Sequence, residues 1–398
     1  MKKAVCFILS LAFLFLCGCS SAYEGDRIGK KGVGETDGKT LTENLKSGKD
    51  VYYDYVAKLV NDCDDNALFA PAPLYLALGM LMNGAAGDTL AEMENALGKT
   101  KMVNEFSLAL RQKVAENAKK TQASIANSLW TRKDFTVKDA YLSDVSNYYA
   151  PDIFSVNFND ETAAKINKWV SDGTNGKIKK IVDGFDYEPA MLLLSALYIK
   201  GDWVNATDYT VTKNFTNADG TVSSAEFFGG NSKLYVSENA YGIKRFMDDG
   251  WFMAAILPKE GVNFSDYINN FTGNELDTLF TQTDERGATY SFPEFENEND
   301  IMLGDVLKNM GMNSMFSVSL ANFGALSDTG VYVDYVKQKA KIKVDKKGLE
   351  GAAVIEISMP TSAGPELNPL FLDFNRPFLY FVCAPDGLPI MLGNVTNL

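Results

Sequence analysis

The side chains that most often do covalent or metal chemistry are scarce in this sequence of 398 residues. It has five cysteines and no histidine. Without histidine, neither a serine nor a cysteine nucleophile can be activated in the usual way, and the commonest metal ligand is missing. No Cys-x-x-Cys pair or metal-ligand cluster replaces it. We therefore predict that the protein is not an enzyme and holds no metal or cofactor.

One cysteine stands where it could be modified chemically. Lys2 and Lys3 precede an apolar run that ends in Leu16-Cys17-Gly18-Cys19, a pattern typical of an export signal. The last four residues resemble the bacterial lipobox, which implies a lipoprotein signal peptide at 1–18 and lipid on Cys19. An ordinary signal peptide cut elsewhere is the alternative. Several acyl chains on one residue would anchor the protein to a membrane.

The resemblance also bears on localisation. Ser20 favours the bacterial outer membrane, and whether the protein faces the periplasm or the cell surface stays open. Residues 19–40 are polar and glycine-rich, as in a flexible tether. Residues 41–398 show no second linker, so we predict a single domain there and expect a monomer. The mature chain has 36 basic and 51 acidic residues, a net charge of −15, which argues against a nucleic-acid partner. The sequence leaves open whether Cys63 and Cys383 pair.

Two segments near the C-terminus alternate with the period of a strand. In Val331–Val344 the lysines at 337, 339, 341 and 343 share one parity. Val336, Ala340, Ile342 and Val344 share the other, which predicts one strand with a wet face. The second segment, Gly348–Phe371, has no Lys or Arg. From 349 to 359 its odd positions are all apolar (Leu349, Gly351, Ala353, Ile355, Ile357 and Met359), whereas Glu350 and Glu356 are even. This order predicts a strand held in reserve, followed by a Pro/Gly-rich stretch.

Helical and strand patterns alternate through the rest of the domain. Helical spacing covers 41–60, 73–97, 102–118 and 162–170, and strands are predicted at 123–130 and 153–158. Ala190–Ile199 is almost continuously apolar, as in a strand covered on both faces, although a buried helix reads similarly.

Six blocks of sequence, in order, resemble the serpin family of protease inhibitors. They are Ala67–Leu97, Ile125–Trp130, Ile166–Ile178, Leu193–Trp203, the segment around Phe292-Pro293, and Asn375–Val395. The resemblance covers nearly all of 41–398. It implies a mixed α/β (α+β) fold with three β-sheets, about nine helices and an exposed reactive loop near the C-terminus.

In inhibitory serpins, a target protease attacks one bond of this loop. The cut loop then enters the central sheet as a new strand and traps the acyl-enzyme. The hinge of that loop corresponds here to Lys346, Gly348, Leu349, Glu350, Gly351, Ala352 and Ala353. Leu349 is bulkier than the small residue usual in the family, which could slow insertion. A serpin-fold lipoprotein that binds other molecules without inhibiting a protease is therefore the alternative function.

Two further departures lead to predictions about contacts. The polar cluster beneath the hinge, called the shutter in the family, is represented by Ser195 and Gln338, and we expect these two side chains to meet. The alternative is that each bonds only to backbone. At the hinge base the charges are exchanged relative to many family members, which predicts an attractive pair between Lys346 and Glu294.

Family spacing places the reactive bond at Ser362–Ala363, with Thr361 and Met359 as neighbouring candidates. Met359 precedes Pro360, which disfavours cleavage there. The absence of Lys and Arg from Gly348 to Asp373 excludes trypsin-like targets, whose pocket needs a cation. Small residues at the bond suit elastase-like or subtilisin-like serine proteases. Papain-like cysteine proteases are the next possibility.

Overall fold

The structure is a computed structural model, and it describes residue 27 and residues 36–185, 189–350 and 368–398. Nine α-helices lie within these ranges: α1 Gly38–Asn61, α2 Pro71–Met82, α3 Gly87–Leu97, α4 Thr100–Asn117, α5 Asp139–Tyr149, α6 Asp160–Gly173, α7 Phe264–Asn269, α8 Gly273–Thr281 and α9 Gly304–Asn309. Within these same ranges, no helix is both long enough and apolar enough to cross a membrane.

The described strands number fifteen. They are β1 Leu68–Phe69, β2 Gln122–Arg132, β3 Asp152–Val156, β4 Met191–Asp202, β5 Val211–Thr216, β6 Val222–Val236, β7 Ala240–Phe246, β8 Phe252–Pro258, β9 Thr283–Pro293, β10 Phe295–Met302, β11 Lys337–Val344, β12 Gly348–Leu349, β13 Leu370–Asp373, β14 Phe378–Cys383 and β15 Pro389–Val395.

Local sequence explains where three of the helices begin. The Asp37 carboxylate caps α1 by accepting hydrogen bonds from the backbone N–H groups of Lys39 and Thr40. Asn159 caps α6 in the same way through the N–H of Thr162. Helix α2 has no side-chain cap of its own and starts with Pro71, whose fixed φ suits the first helical turn.

The strands form two hydrogen-bonded sheets among the described residues. The central sheet has the order β10-β11-β12-β4-β2-β3. The other runs β1-β15-β14-β8-β7-β6-β9-β13, with β5 also paired to β6. The long strand β6 pairs with β5 at one end and with β9 along the rest. It thereby joins two of the three sheets that the resemblance implied into one. The mixed α/β fold is confirmed.

The main core lies between the helices and the two sheets. Strands β14 and β15 are buried along their whole length, as expected of central strands covered on both faces. The strand predicted over Ala190–Ile199 is confirmed as part of β4, which begins one residue later, at Met191. The expected strand over Val331–Val344 is shorter than predicted, because its partner β10 ends at Met302, opposite Lys337. Without a neighbour to pair with, residues 331–336 lie outside the sheet.

One residue of the predicted tether is described. Arg27 forms an isolated antiparallel bridge with Phe154 at the outer edge of β3, and its guanidinium contacts the Asp152 carboxylate.

Candidate functional site: the hinge and the slot in the central sheet

The two-residue strand β12 lies between β11 and β4 and pairs with both. Leu349 is opposite Val344 of β11 on one side and Gly201 of β4 on the other. Its side chain is 1% exposed and Val344 is fully buried, so both point into the core. The sequence predicted that odd positions of this segment face the core, and the first of them does.

Close backbone packing makes glycine necessary at position 348. A Cβ atom there would come within 2.5 Å of the Gly201 carbonyl oxygen and 3.0 Å of the Asp202 Cα atom. Any other residue would push β12 away from β4.

The turn that leads into β12 is held on several sides. The Asp345 carboxylate accepts hydrogen bonds from the N–H groups of Lys347 (2.8 Å) and Gly348 (3.1 Å). The Trp203 indole N–H donates to the Asp345 carbonyl at 2.8 Å, and the Trp203 backbone N–H donates to the Lys347 carbonyl at 2.9 Å. The hinge base is therefore fixed to the end of β4.

The attraction predicted between Lys346 and Glu294 takes a different form. The Glu294 carboxylate accepts a hydrogen bond from the Lys346 backbone N–H at 3.1 Å. The Lys346 ammonium instead donates to the Asp208 carbonyl at 3.1 Å. The predicted side-chain ion pair was wrong, because the chain turns at Lys346 and presents its backbone to Glu294.

Glu350 ends the described part of the hinge. Its φ is +68°, in the left-handed region that non-glycine residues rarely adopt. Its N–H donates to the Lys343 carbonyl at 3.1 Å, and its carboxylate forms an ion pair with Lys177. The remaining predicted hinge residues Gly351, Ala352 and Ala353, and the predicted reactive-bond residues Met359, Thr361, Ser362 and Ala363, lie outside the described residues, as does Cys19.

Beyond Leu349 an open slot continues between β4 and β11. We define the slot as the space between Ser195–Ile199 of β4 and Gln338–Ile342 of β11. In the described residues these strands are connected only through β12. A cavity of about 210 Å³ occupies this space. A second cavity of about 630 Å³ extends it along α2, and its walls are mostly apolar, including Leu74, Leu78, Met191, Leu192 and Val336.

Ser195 and Gln338 lie on opposite walls of the slot and do not meet. Ser195 donates to the Asn127 side-chain oxygen on β2 at 2.7 Å. Gln338 bonds twice to the backbone of Ala70, accepting from its N–H at 2.9 Å and donating to its carbonyl at 3.0 Å. The predicted pair was wrong because the slot separates the strands. The alternative, that each side chain bonds only to backbone, holds for Gln338 and not for Ser195. Gln338 thereby fixes Ala70, the residue that precedes α2.

Sequence reasoning missed an array of charges on the other side of β11. Lys337 forms an ion pair with Asp300 (3.0 Å), and Lys341 pairs with Glu296 (2.7 Å) and Glu298 (2.9 Å). Lys339 lies 3.6 Å from Glu298 and 3.8 Å from Asp300. We call these six side chains the charge ladder. The signal was present in the sequence, since acids alternate along Glu296–Asp300 as the lysines do along 337–341.

The two cysteines left open by the sequence are both buried and free. Burial raises the pKa of the Cys63 thiol above its ordinary value, which makes it a poor nucleophile. Within the described ranges, no three His, Cys, Asp or Glu side chains come close enough together to hold a metal ion.

Comparison with known proteins agrees with this geometry. The family model for serpins, described as serine protease inhibitors, matches residues 47–398. An uncharacterized serpin-like protein of Thermococcus kodakarensis is 28% identical over 84% of this chain and 81% of its own length. Human serpin I2 is 27% identical over 84% and 86%, respectively.

A solved structure shows the same architecture. The thermophilic serpin tengpin in its native state superposes with a TM-score of 0.80, at 30% identity, over 93% of this chain and 96% of tengpin. With a family model that spans most of the chain and a matching fold, this protein belongs to the serpin family, whose members are in general protease inhibitors and not enzymes.

Proposed function

We propose that this protein is a membrane-anchored suicide inhibitor of serine proteases that acts by insertion of its cleaved reactive loop into the slot. The observation that carries the proposal is β12. Its two residues are already paired on both sides within the central sheet, and the slot continues in line with them. A chain that enters a sheet between two strands needs this arrangement, because both of its edges must find partners.

The register of β12 indicates how further residues would fit. If the antiparallel pairing continued, Ile355 would lie between Ser195 of β4 and Gln338 of β11. These two residues stand on the walls of the slot beyond the end of β12. Odd residues would face the apolar interior, as Leu349 does. Glu356 would lie on the outer face opposite Lys337. The sequence alternation and the slot are thus complementary in both polarity and charge.

Leu349 supports a working hinge. The concern raised by its size was that it would resist entry into the sheet. In the structure it is seated between Val344 and Gly201 with its side chain buried, so the sheet accommodates a leucine at this position.

In this mechanism the protease carries out the bond cleavage, and this protein traps the resulting acyl-enzyme. The protease serine attacks the carbonyl of Ser362, the Ser362–Ala363 peptide bond breaks, and the amine of Ala363 leaves with the proton taken from the serine hydroxyl. An ester then links the protease to Ser362. Insertion of residues after Leu349 must outrun hydrolysis of this ester, so the mechanism depends on a rate and on free energy stored in the uncleaved fold.

The targets we propose are elastase-like or subtilisin-like serine proteases. Ser362 is small, and no Lys or Arg lies between Gly348 and Arg376. A trypsin-like pocket has no cation to bind in this segment. Papain-like cysteine proteases come next, and Thr361–Ser362 is the next candidate bond.

We also propose that lipid on Cys19 anchors the protein in a bacterial outer membrane. The support is the Leu16-Cys17-Gly18-Cys19 pattern followed by Ser20. A Cys19→Ala variant should lose membrane association. Protease treatment of whole and lysed cells distinguishes the orientations, because only a surface-displayed protein is cut in whole cells.

The central test is a denaturing gel of the full chain, purified in detergent, after incubation with an elastase-like protease and with trypsin. We expect a covalent adduct with the elastase-like enzyme and none with trypsin. Mass spectrometry should find a released peptide that begins at Ala363. Clean cleavage without an adduct, for every serine protease tried, would identify a substrate and favour the non-inhibitory alternative.

A further inference from the structure

The C-terminal turn of α6 lies over the entrance of the slot. The cavity of about 210 Å³ in the slot is lined by residues of this turn, Thr174, Lys177 and Ile178, and by Leu349 and Glu350. Hydrogen bonds fix the turn, with the N–H of Gly176 donating to the Ser171 carbonyl at 2.7 Å and the N–H of Lys177 donating to the Thr174 carbonyl at 3.0 Å. The backbone that carries Lys177 is therefore held in place by hydrogen bonds within the turn.

The same turn is fastened to β4. The Asn175 amide donates to the Tyr198 hydroxyl at 3.1 Å. In the register of β12, Tyr198 stands beside position 352, three residues beyond Leu349. Any further residue of the hinge would thus have to pass directly under this turn.

Glu350 stops β12 at this point. Its left-handed φ of +68° directs the chain out of the strand, and such a conformation is unfavourable for a residue with a Cβ atom. It is held by two contacts, the N–H bond to the Lys343 carbonyl and the ion pair with Lys177. The carboxylate side chain is only 19% exposed in this pair.

We propose that Lys177 and Glu350 form a latch that arrests the hinge with two residues in the sheet, and that its release sets the rate at which the loop enters. This inference rests on the proposed function. For β12 to lengthen, Glu350 must change from left-handed to extended φ and its carboxylate must leave Lys177.

Release of the latch need not weaken the inserted state. The register places Lys343 and Lys200 on the two sides of position 350. An extended Glu350 would therefore find other ammonium groups on the outer face of the sheet. The latch should govern how fast the loop enters while leaving the final stability unchanged.

The test compares Lys177→Ala, Glu350→Gln and the double variant in the full chain. Lys179→Ala is the matched control, since Lys179 is exposed and lies two residues away on the same segment. Hydrogen exchange of the Glu350 amide in the uncleaved protein reports opening of the latch. The second-order rate of adduct formation with an elastase-like protease reports loop entry.

We expect each single latch variant to raise both rates about 2- to 5-fold, as for a partly exposed ion pair. The double variant should be no faster than either single, because both remove the same contact. Lys179→Ala should change neither rate, and the melting temperature of the cleaved form should be the same in Lys177→Ala, Lys179→Ala and the wild-type chain. Unchanged exchange in the single variants, or additive effects in the double, would overturn the latch.

A second variant tests the backbone part of the latch. Glycine adopts positive φ without penalty, so Glu350→Gly in the Lys177→Ala background should stabilise the turned-out chain. Exchange and adduct formation should then slow by about fivefold relative to Lys177→Ala alone. Equal rates would show that φ at position 350 does not contribute.

Failure of the latch and failure of the proposed function give different results. If the wild-type chain forms no adduct and gains no stability on cleavage, the proposed inhibition is wrong. Exchange of the Glu350 amide still decides whether the ion pair holds the hinge. If adducts form at the same rate in all variants, inhibition stands and the latch is wrong.

Discussion

The two sides of strand β11 are built in opposite ways. On one side β11 pairs with β10 over eight consecutive positions, from Phe295–Val344 to Met302–Lys337, and the charge ladder spans the pair. On the other side a single position, Val344, pairs with β12, and the slot follows. A strand with a continuous partner on one edge and an open cleft on the other can part from its neighbours on one side only.

The contrast between the two edges of β11 indicates where the sheet can open. Each rung of the charge ladder is partly exposed and contributes little by itself, but the rungs act together with eight backbone pairs. Strands β10 and β11 therefore behave as one unit. On the slot side, the contacts of β11 in the described part of the chain include the pair with β12, the bond from the Glu350 N–H to the Lys343 carbonyl, and the bonds from Gln338 to Ala70. Opening should thus leave β10–β11 intact and widen the slot.

The largest effect is expected from a charge in place of the buried Leu349 side chain of β12. In Leu349→Glu an ionised carboxylate would have to replace a side chain that is 1% exposed, at a cost of several kcal/mol. Leu349→Met keeps the volume and is the matched control. We expect the fraction of protease trapped as adduct to fall at least about 100-fold in Leu349→Glu and to change little in Leu349→Met. Trapping by Leu349→Glu at the wild-type level would show that β12 is not part of the insertion path.

An intermediate effect is expected at the wall of the slot. Gln338→Leu leaves the Ala70 N–H without its partner, while the Ala70 carbonyl keeps the N–H of Leu74. It should lower the free energy of unfolding by about 1–3 kcal/mol. Ser195→Ala breaks a separate contact, with Asn127. Because the two side chains share no partner, the double variant should equal the sum of the singles in urea unfolding. A strongly non-additive double variant would indicate a direct Ser195–Gln338 contact, contrary to the structure.

The smallest effect is expected from one rung of the charge ladder. Hydrogen bonding to Lys341 lowers the pKa of Glu298 below its ordinary value of 4.5. A carboxyl whose pKa is lowered by folding adds stability above its unfolded pKa and loses it as the pH falls through the folded value. Lys341→Met should therefore flatten the loss of stability below about pH 4.5, by well under 1 kcal/mol since the pair is exposed. The solvent-facing Lys343→Met, outside the ladder, should keep the wild-type profile.

Much of the scaffold around the slot could be predicted from sequence because it depends on local alternation. The lysines of β11 share one face, and Ala340, Ile342 and Val344 are buried on the other, as their parity indicated. The same parity rule placed Leu349 toward the core. These are consequences of the two-residue period of a strand, which needs no knowledge of the partner strands.

The contacts across the slot could not be predicted in the same way. Whether Ser195 reaches Gln338 depends on the gap between β4 and β11, which neither segment encodes by itself. The ion pair of Glu350 with Lys177 depends on where the turn after α6 falls on the sheet. The left-handed φ of Glu350 has no signal in its residue type, since glycine is the residue expected there.

The measurement that tests the central claim most directly is the thermal stability of the full chain before and after cleavage within residues 351–367. If the slot accepts the cleaved loop as a new strand, the free energy of unfolding should rise by several kcal/mol. Each kcal/mol corresponds to roughly 1–2 °C in a chain of this size, so the melting temperature should rise by more than about 10 °C. Leu349→Glu should show a much smaller rise. A melting temperature that stays the same or falls after cleavage of the wild-type chain would contradict insertion into the slot.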